Sequence, residues 1–468
     1  MKTAGQHVTS LSLFGPGTEI HPPIMSFGLL LSLVGFSLVL IVVLTSVLKF
    51  NTFISMFVVS LLLAGLTLPA HNVVPVITEG FGSTMKTIGL IIILGVMIGV
   101  LLERTGATTS LGRALLRLTG EKKASLAVGL TGVVVGIPIF CNSGFIVLSG
   151  LNKSLVQRTG RPMIQMATML AAGLYSVHCL IPPHPGAMAA AGLLKPNIGS
   201  LLLTGLLVAL PAAAAGFAWT RFCCRHEPVG PGEAAGALTQ PDGQALPSAG
   251  HAILPILVPL VLMAGRSVIL LQPRFTPDLG WVRAVDLLGS PEVALLIGVA
   301  LAVTLLKKIE IKTLGELFEK AIEQAGPTLA LTAAGGMFGA VIKATQVGEQ
   351  AGVWLAASGL GLFIPFVVAA FLKTAQGSST VATMTAASIV APMLPGLQLD
   401  TEAGKVLATL ALGAGSMVVS HANDSYFWVV TKFSNLETGN ALRVYTTATL
   451  VMGLTAFTVV WVLSKFML

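Results

Sequence analysis

The stretch Ser420–Val430, SHANDSYFWVV, lies inside an apolar run that opens at Gly413 with GAGSMVV. His421, Asn423, Asp424 and Ser425 fall where lipid-facing or core side chains belong. Two other apolar runs are interrupted in the same way, by IPPHPG at Ile181–Gly186 and by FCNSGF at Phe140–Phe145. Polar groups removed from water must be met by other polar groups. Backbone that leaves helical form at membrane depth is tolerated only where protein or a wet cavity covers it. How these interruptions are read therefore decides the fold.

The surrounding composition is that of a membrane protein. Of 468 residues, 54% are hydrophobic and 10% are charged, against roughly 25% charged in a soluble domain. Gly28–Leu48, Ile198–Thr220, Ala252–Leu271 and Ala441–Leu463 each reach the length of about 20 residues that spans a bilayer as a helix. A transmembrane barrel needs short alternating segments instead. The expectation is an all-α polytopic membrane protein. The net charge of +8 does not point to nucleic acid. Lys and Arg occupy short loops between spans, which is the positive-inside bias. With the N-terminus outside, 17 of the 27 Lys and Arg fall on the inner side. Cys141, Cys179, Cys223 and Cys224 show no metal spacing and read as small apolar fillers. No metal and no cofactor is expected. The first residues show no charged segment leading into an apolar one, so residues 1-26 read as a tail without a cleaved signal.

The polar stretch His226–Ser248 divides the chain almost in half. The expected organisation is a first transmembrane half at 27-225, a loop at 226-250 and a second half at 251-468. GVMIGVLLERTG from Gly95 and GGMFGAVIKATQ from Gly335 place two glycines each at an offset of 240 residues. In each half an apolar segment with a polar break follows (CNSG, AQGSST), then a segment with a His-containing knot (PPHPG, SHAND). Paired interrupted segments are the sequence pointer to an inverted-repeat transporter. Ala124–Leu151 is too short for two crossings, which need about 40 residues, and has Lys on both flanks. Re-entrant hairpins are expected at 124-151 and 359-395, and broken helices at 163-195 and 404-431. Gly106–Leu118 and its counterpart Thr313–Ala325 read as amphipathic helices lying at the surface.

The knots supply candidate site residues. Asn142, Ser143 and Gly144 would open a helix whose N-terminus favours a carboxylate; a capped kink is the structural alternative. Gly377, Ser378, Ser379 and Thr380 cluster with Gln376 between apolar arms. Lys373 lies just upstream, either facing a cavity as an electrostatic partner or snorkelling to an interface. Pro182, Pro183 and Pro185 forbid continuous helix around His184, and His titrates near neutral pH; His178 reads as structural. His421, Asn423 and Asp424 complete the set. Asp424 is a proton-carrier candidate that also fits a helix cap.

These motifs carry a resemblance. GFGSTMKTIGLIIILG at Gly80–Gly95, PPHPG at Pro182–Gly186, AQGSSTVA at Ala375–Ala382 and GAGSMVVSHANDSYFW at Gly413–Trp428 are similar to the gluconate permease (GntP) family, within the larger ion-transporter superfamily. The resemblance runs from about Phe27 to Leu463 and is not specific for one substrate. It implies proton symport of gluconate, related hydroxy-acids, D-serine or other short carboxylates into a bacterial cell across the inner membrane. It also implies a dimerising scaffold and a mobile domain that moves like an elevator. One position departs from the pattern. Relatives carry an acidic residue where Asn142 stands, and Asn cannot carry a proton. Uncoupled exchange, a substitution that locks one state, and proton handling by His184 or Asp424 all stay open. The sequence-level expectation is a secondary transporter for a small carboxylate, with H+ as coupling ion, the lipid bilayer as surroundings, a homodimer as assembly and no nucleic-acid partner. Its alternatives are a sodium-coupled or uncoupled carrier or channel, and a membrane-embedded enzyme. The last lacks any nucleophile motif.

Overall fold

The computed structural model describes residues 25–120, 123–225, 246–270, 279–347, 360–422 and 424–468. Nearly all of the N-terminal tail, most of the 226–250 loop and the candidate Asn423 lie outside the described residues. Every regular element among the described residues is helical. The first half comprises α1 (Phe27–Val42), α2 (Thr52–Thr67), α3 (Ala70–Thr105), α4 (Ala107–Thr119), α5 (Ala124–Gly136), α6 (Cys141–Thr159), α7 (Met163–Leu180), α8 (Pro185–Leu194) and α9 (Ile198–Cys223). The second comprises α10 (Ala249–Leu270), α11 (Gly280–Leu288), α12 (Pro291–Val303), α13 (Ile311–Ala344), α14 (Phe363–Gln376), α15 (Ser379–Val390), α16 (Glu402–Met417), α17 (Ser425–Phe433) and α18 (Thr438–Met467). Seven of the described helices are long and apolar enough to cross a membrane.

Local chemistry sets where the helices start and stop. Pro182 and Pro183 cannot donate to the preceding turn, so α7 ends at Leu180. Pro185 then stands at the first turn of α8, where its missing N–H costs nothing. Gly377, with φ of +84°, ends α14, a conformation that suits glycine. The Ser378 hydroxyl accepts from the Val381 amide at 3.3 Å and opens α15. Asp424 opens α17 by accepting from the Tyr426 amide at 3.0 Å. One sequence expectation fails here. Thr313–Ala325 is no separate surface helix; it is the first part of the 34-residue α13, which carries Pro327 inside it. Gly326 and Pro327 stand at the junction of the two parts, yet the helix runs on through both, packed along α3.

Packing sorts the helices by depth. Every residue of α7 from Ile164 to Leu180 is buried, and α8 is nearly so. By contrast α1, α2 and α10 expose large apolar side chains such as Phe36, Leu62 and Val261. A helix that is apolar all round and buried is the middle of the bundle, and one that is apolar outward faces lipid.

The two halves pack in corresponding ways. The long helices α3 and α13 lie against each other. In the first half α5 packs on α7 and α7 on α9; in the second α14 packs on α16 and α16 on α18. Contacts also cross between halves, α8 against α15 and α17 against α6. Glycine permits the close α5–α7 and α14–α16 approaches. A Cβ on Gly173 would lie 2.1 Å from the Gly129 carbonyl oxygen, and one on Gly415 would lie 2.2 Å from that of Phe366.

Candidate functional site

The chain breaks bring together charged and polar groups that are far apart in sequence. Lys373, in the last turn of α14, reaches the start of α17. Its Nζ lies 2.5 Å from Asp424 Oδ2, and it also donates to the Gly377 carbonyl. Both side chains are enclosed, at 0% and 4% exposure. Lys373 therefore does not snorkel to an interface. The same Asp424 oxygen accepts from the Ser420 hydroxyl at 2.5 Å, while Oδ1 caps α17. The carboxylate thus accepts three hydrogen bonds, two on Oδ2 and one on Oδ1, and a buried charge requires such partners.

The α16–α17 break holds this arrangement in place. The Ser420 amide donates to Thr449 at 3.0 Å, and Thr446 donates to the Ser420 carbonyl at 2.6 Å, both from α18. Val419 adopts φ of +53°, which a β-branched residue reaches only at a cost of about 1–3 kcal/mol. The strain sits one residue before the Ser420 hydroxyl that binds Asp424. His421 sits half-buried with Nε2 3.3 Å from the Thr374 carbonyl, so the break also touches α14 next to Lys373.

The α7–α8 break answers from the other side. His184 is 1% exposed, and its Nε2 lies 2.5 Å from the Gly136 carbonyl at the end of α5. Its Nδ1 lies 3.3 Å from Nδ1 of His178. His184 thereby joins the broken backbone to the turn between α5 and α6, and Phe140 of that turn lies 6.5 Å from its ring. A Cβ on Gly186 would lie 3.4 Å from Thr380 and 3.5 Å from Thr383 of α15, so α8 passes close to the α15 opening. Cys141, the first residue of α6, is within electrostatic reach of Lys373 and Asp424. Ser379 lies beside Tyr175 and Cys179 of α7. α6 packs on α7, and α15 packs on α8.

Asn142, Ser143, Ser378 and Thr380 are half-buried in this region, and Ser379 is buried. Gly144 differs from its neighbours: its amide already donates to the Phe140 carbonyl at 2.8 Å within α6. Among the described residues the Asn142 side chain makes only a long 4.0 Å contact, from the Cys141 thiol to its Oδ1.

Sequence reasoning did not single out Tyr175 or Tyr426. Tyr175 stacks on Tyr426 at 5.5 Å, Tyr426 meets Tyr445 edge-on at 6.1 Å, and the Lys373 ammonium lies 5.8 Å from the Tyr175 ring centre. A signal existed. The chain has 3 tyrosines, and all of them converge here. Ser420 was also missed, because a serine ahead of a helix cap looks unremarkable until its carboxylate partner is placed.

A helical bundle with interior chain breaks that enclose an ion pair defines a multi-pass integral membrane protein with a polar site at its centre. The chain belongs to the GntP family permeases, whose family pattern it matches over residues 29–466. A gluconate permease of Pseudomonas aeruginosa is 31% identical over 91% of this chain and 95% of its own length. The Gnt-II system L-idonate transporter of Escherichia coli K12 is 31% identical over 85% and 90%. The D-serine transporter DsdX of the same strain is 29% identical over 92% and 96%. In fold the chain is similar to the Alcanivorax borkumensis YdaH transporter, with a TM-score of 0.61 at 18% identity, covering 93% of this chain and 98% of that one. The relatives are named permeases and transporters, and this chain is a permease rather than an enzyme.

Proposed function

We propose that this permease imports gluconate or a related small hydroxy-carboxylate across a bacterial inner membrane by proton symport. The observation that carries the reading is the buried Lys373–Asp424 pair beside the first turn of α15. As it stands the pair is neutral. Bringing in an anion adds one uncompensated charge to an enclosed site, which is costly. Protonation of Asp424 removes that difficulty. It releases the Lys373 ammonium to the substrate carboxylate, so proton and anion enter together. The opening amides of α6 and α15, at Asn142, Ser143, Ser379 and Thr380, supply further donors suited to a carboxylate. Ser378 holds the α15 opening, Gly377 and Gly144 let it and the α6 opening approach, and His184, His421 and Asn423 are assigned to substrate hydroxyls. Asn142 cannot carry a proton, so coupling is assigned to Asp424, with His184 as second candidate.

The corresponding packing of the two halves supports an inverted repeat, with α5–α6 and α14–α15 as re-entrant hairpins and α7–α8 and α16–α17 as broken helices. In this reading those eight helices form the moving body of an elevator, carried against α3, α10, α12 and α13 in a homodimer. Names of relatives that carry gluconate, idonate and D-serine support a short, polar, carboxylate-bearing cargo.

Uptake by reconstituted vesicles tests this. An imposed proton gradient is expected to drive gluconate accumulation, and a sodium gradient is not. Asp424→Asn should abolish proton-driven accumulation yet keep gluconate counterflow, because Lys373 is then permanently released. Accumulation by Asp424→Asn equal to the unmodified protein, or drive by sodium alone, would remove proton coupling through Asp424.

A further inference from the structure

Among the described residues Thr108, Asn152, Thr168, Gln376, Thr385 and Tyr445 hold buried side-chain polar atoms without a hydrogen-bond partner, and Gln376 is the one of these nearest in sequence to Lys373. Gln376 is the last residue of α14, three residues after Lys373 and two before Ser378. Both Nε2 and Oε1 are buried and have no hydrogen-bond partner among the described residues. Leaving buried polar atoms unpaired is costly, about 1–3 kcal/mol for each group. Interiors rarely tolerate this without a reason, such as a ligand that completes the bonds. Lys373, Ser378 and Asp424 are engaged elsewhere: Lys373 with Asp424 and Gly377, Ser378 with Val381, and Asp424 with Ser420 and Tyr426.

The chemistry of the amide narrows what could complete it. A carboxamide presents donors and an acceptor together. A carboxylate only accepts and an ammonium only donates, so either satisfies half of it. A hydroxyl both donates and accepts. Two residues of chain span at most about 7 Å, so Gln376 stands close to the α15 opening where the carboxylate is assigned. We infer that Gln376 is a specificity-determining residue that reads a hydroxyl near the carboxylate, on carbon 2 or 3 of the substrate. This rests on the hydroxy-acid reading above and adds to it the reason for preferring a hydroxylated acid over a plain one. A site built to pair a hydroxyl rejects the analogue that lacks it, because the site's own polar atoms are then stranded.

The test is calorimetric titration of the purified full-length protein with gluconate, 2-deoxygluconate, 3-deoxygluconate and hexanoate. The unmodified protein is expected to bind gluconate on the order of 10- to 100-fold more tightly than the critical deoxy acid, as one stranded polar pair implies. Gln376→Met keeps the side chain's length and removes the amide. It should lower gluconate affinity to that of the deoxy acid, leave the deoxy acid's affinity unchanged, and melt no lower than the unmodified protein without ligand. Gln376→Asn withdraws the amide by one carbon and should show the same loss of discrimination should the Met variant not fold. Undiminished discrimination in the variants overturns the inference. So does an equal loss for all acids, which would mean the residue only props the turn. A failure of the hydroxy-acid reading itself looks different: the unmodified protein would bind none of the four acids, before any variant is made.

Discussion

At the scale of single residues, Lys373 and Asp424 govern both stability and chemistry. An ion pair this enclosed contributes little net stability, but removing one partner strands the other at a cost of about 3–5 kcal/mol. Lys373→Met is therefore expected to lower the thermal midpoint of the purified protein sharply. The double variant Lys373→Met/Asp424→Leu should recover all but the lost cap of α17, about 1 kcal/mol. A double variant no more stable than the single one would show that the two charges are not coupled. Both residues were visible in the sequence as ionisable groups in apolar surroundings. Their pairing was not, because 51 residues separate them. Nor was it visible that Gln376 lacks a partner, since absence of a contact is a property of everything packed around a residue.

At the scale of elements, the positions of the breaks were readable in advance. Pro182–Pro183, Gly377–Ser378 and the cap at Asp424 act through their immediate neighbours, so the chain states them locally. The glycine repeat was also readable, but its use was not. Gly95 and Gly99 lie against Pro183 and the Pro138 carbonyl, whereas Gly335 and Gly339 lie against Met384 and Ser388 of α15. The same spacing serves different partners in the two halves. Close packing at the break-bearing helices gives a paired prediction. Gly173→Ala forces a methyl into the Gly129 carbonyl and should cost about 1–3 kcal/mol. Gly186→Ala, whose added carbon would meet Thr380 at an ordinary 3.4 Å, should leave the thermal midpoint within experimental error. Equal effects in the two variants would mean that the α5–α7 crossing is looser than these distances state.

At the scale of the molecule, the elevator proposal needs a boundary along which one body slides. A small apolar gap supplies a candidate, with Ile137, Pro138 and Pro183 on one side and Ile98, Pro255, Ile256, Pro259 and Leu295 on the other. Prolines and branched aliphatic side chains make no directional bonds across it, which suits sliding. Cysteines at Ile137 and Ile256, joined by a short reducible thiol linker in a background without the four native cysteines, are expected to stop gluconate uptake. Reduction should restore it. Full uptake by the linked protein would mean that these surfaces do not move past one another during transport.

Taken alone, the sequence determined the all-helical membrane class, the main chain interruptions and the residue types gathered at them. Each of these follows from composition over about 20 residues or from the φ, donor and capping preferences of a few neighbours. Only the tertiary structure decided that α13 runs unbroken past Pro327, that three tyrosines share one cluster, and that Lys373 bonds Asp424 rather than reaching for water. Local preferences fix where a helix can begin and end. Which side chains then share an enclosed space depends on how closely whole helices approach and in what register, and that is settled by packing across hundreds of residues.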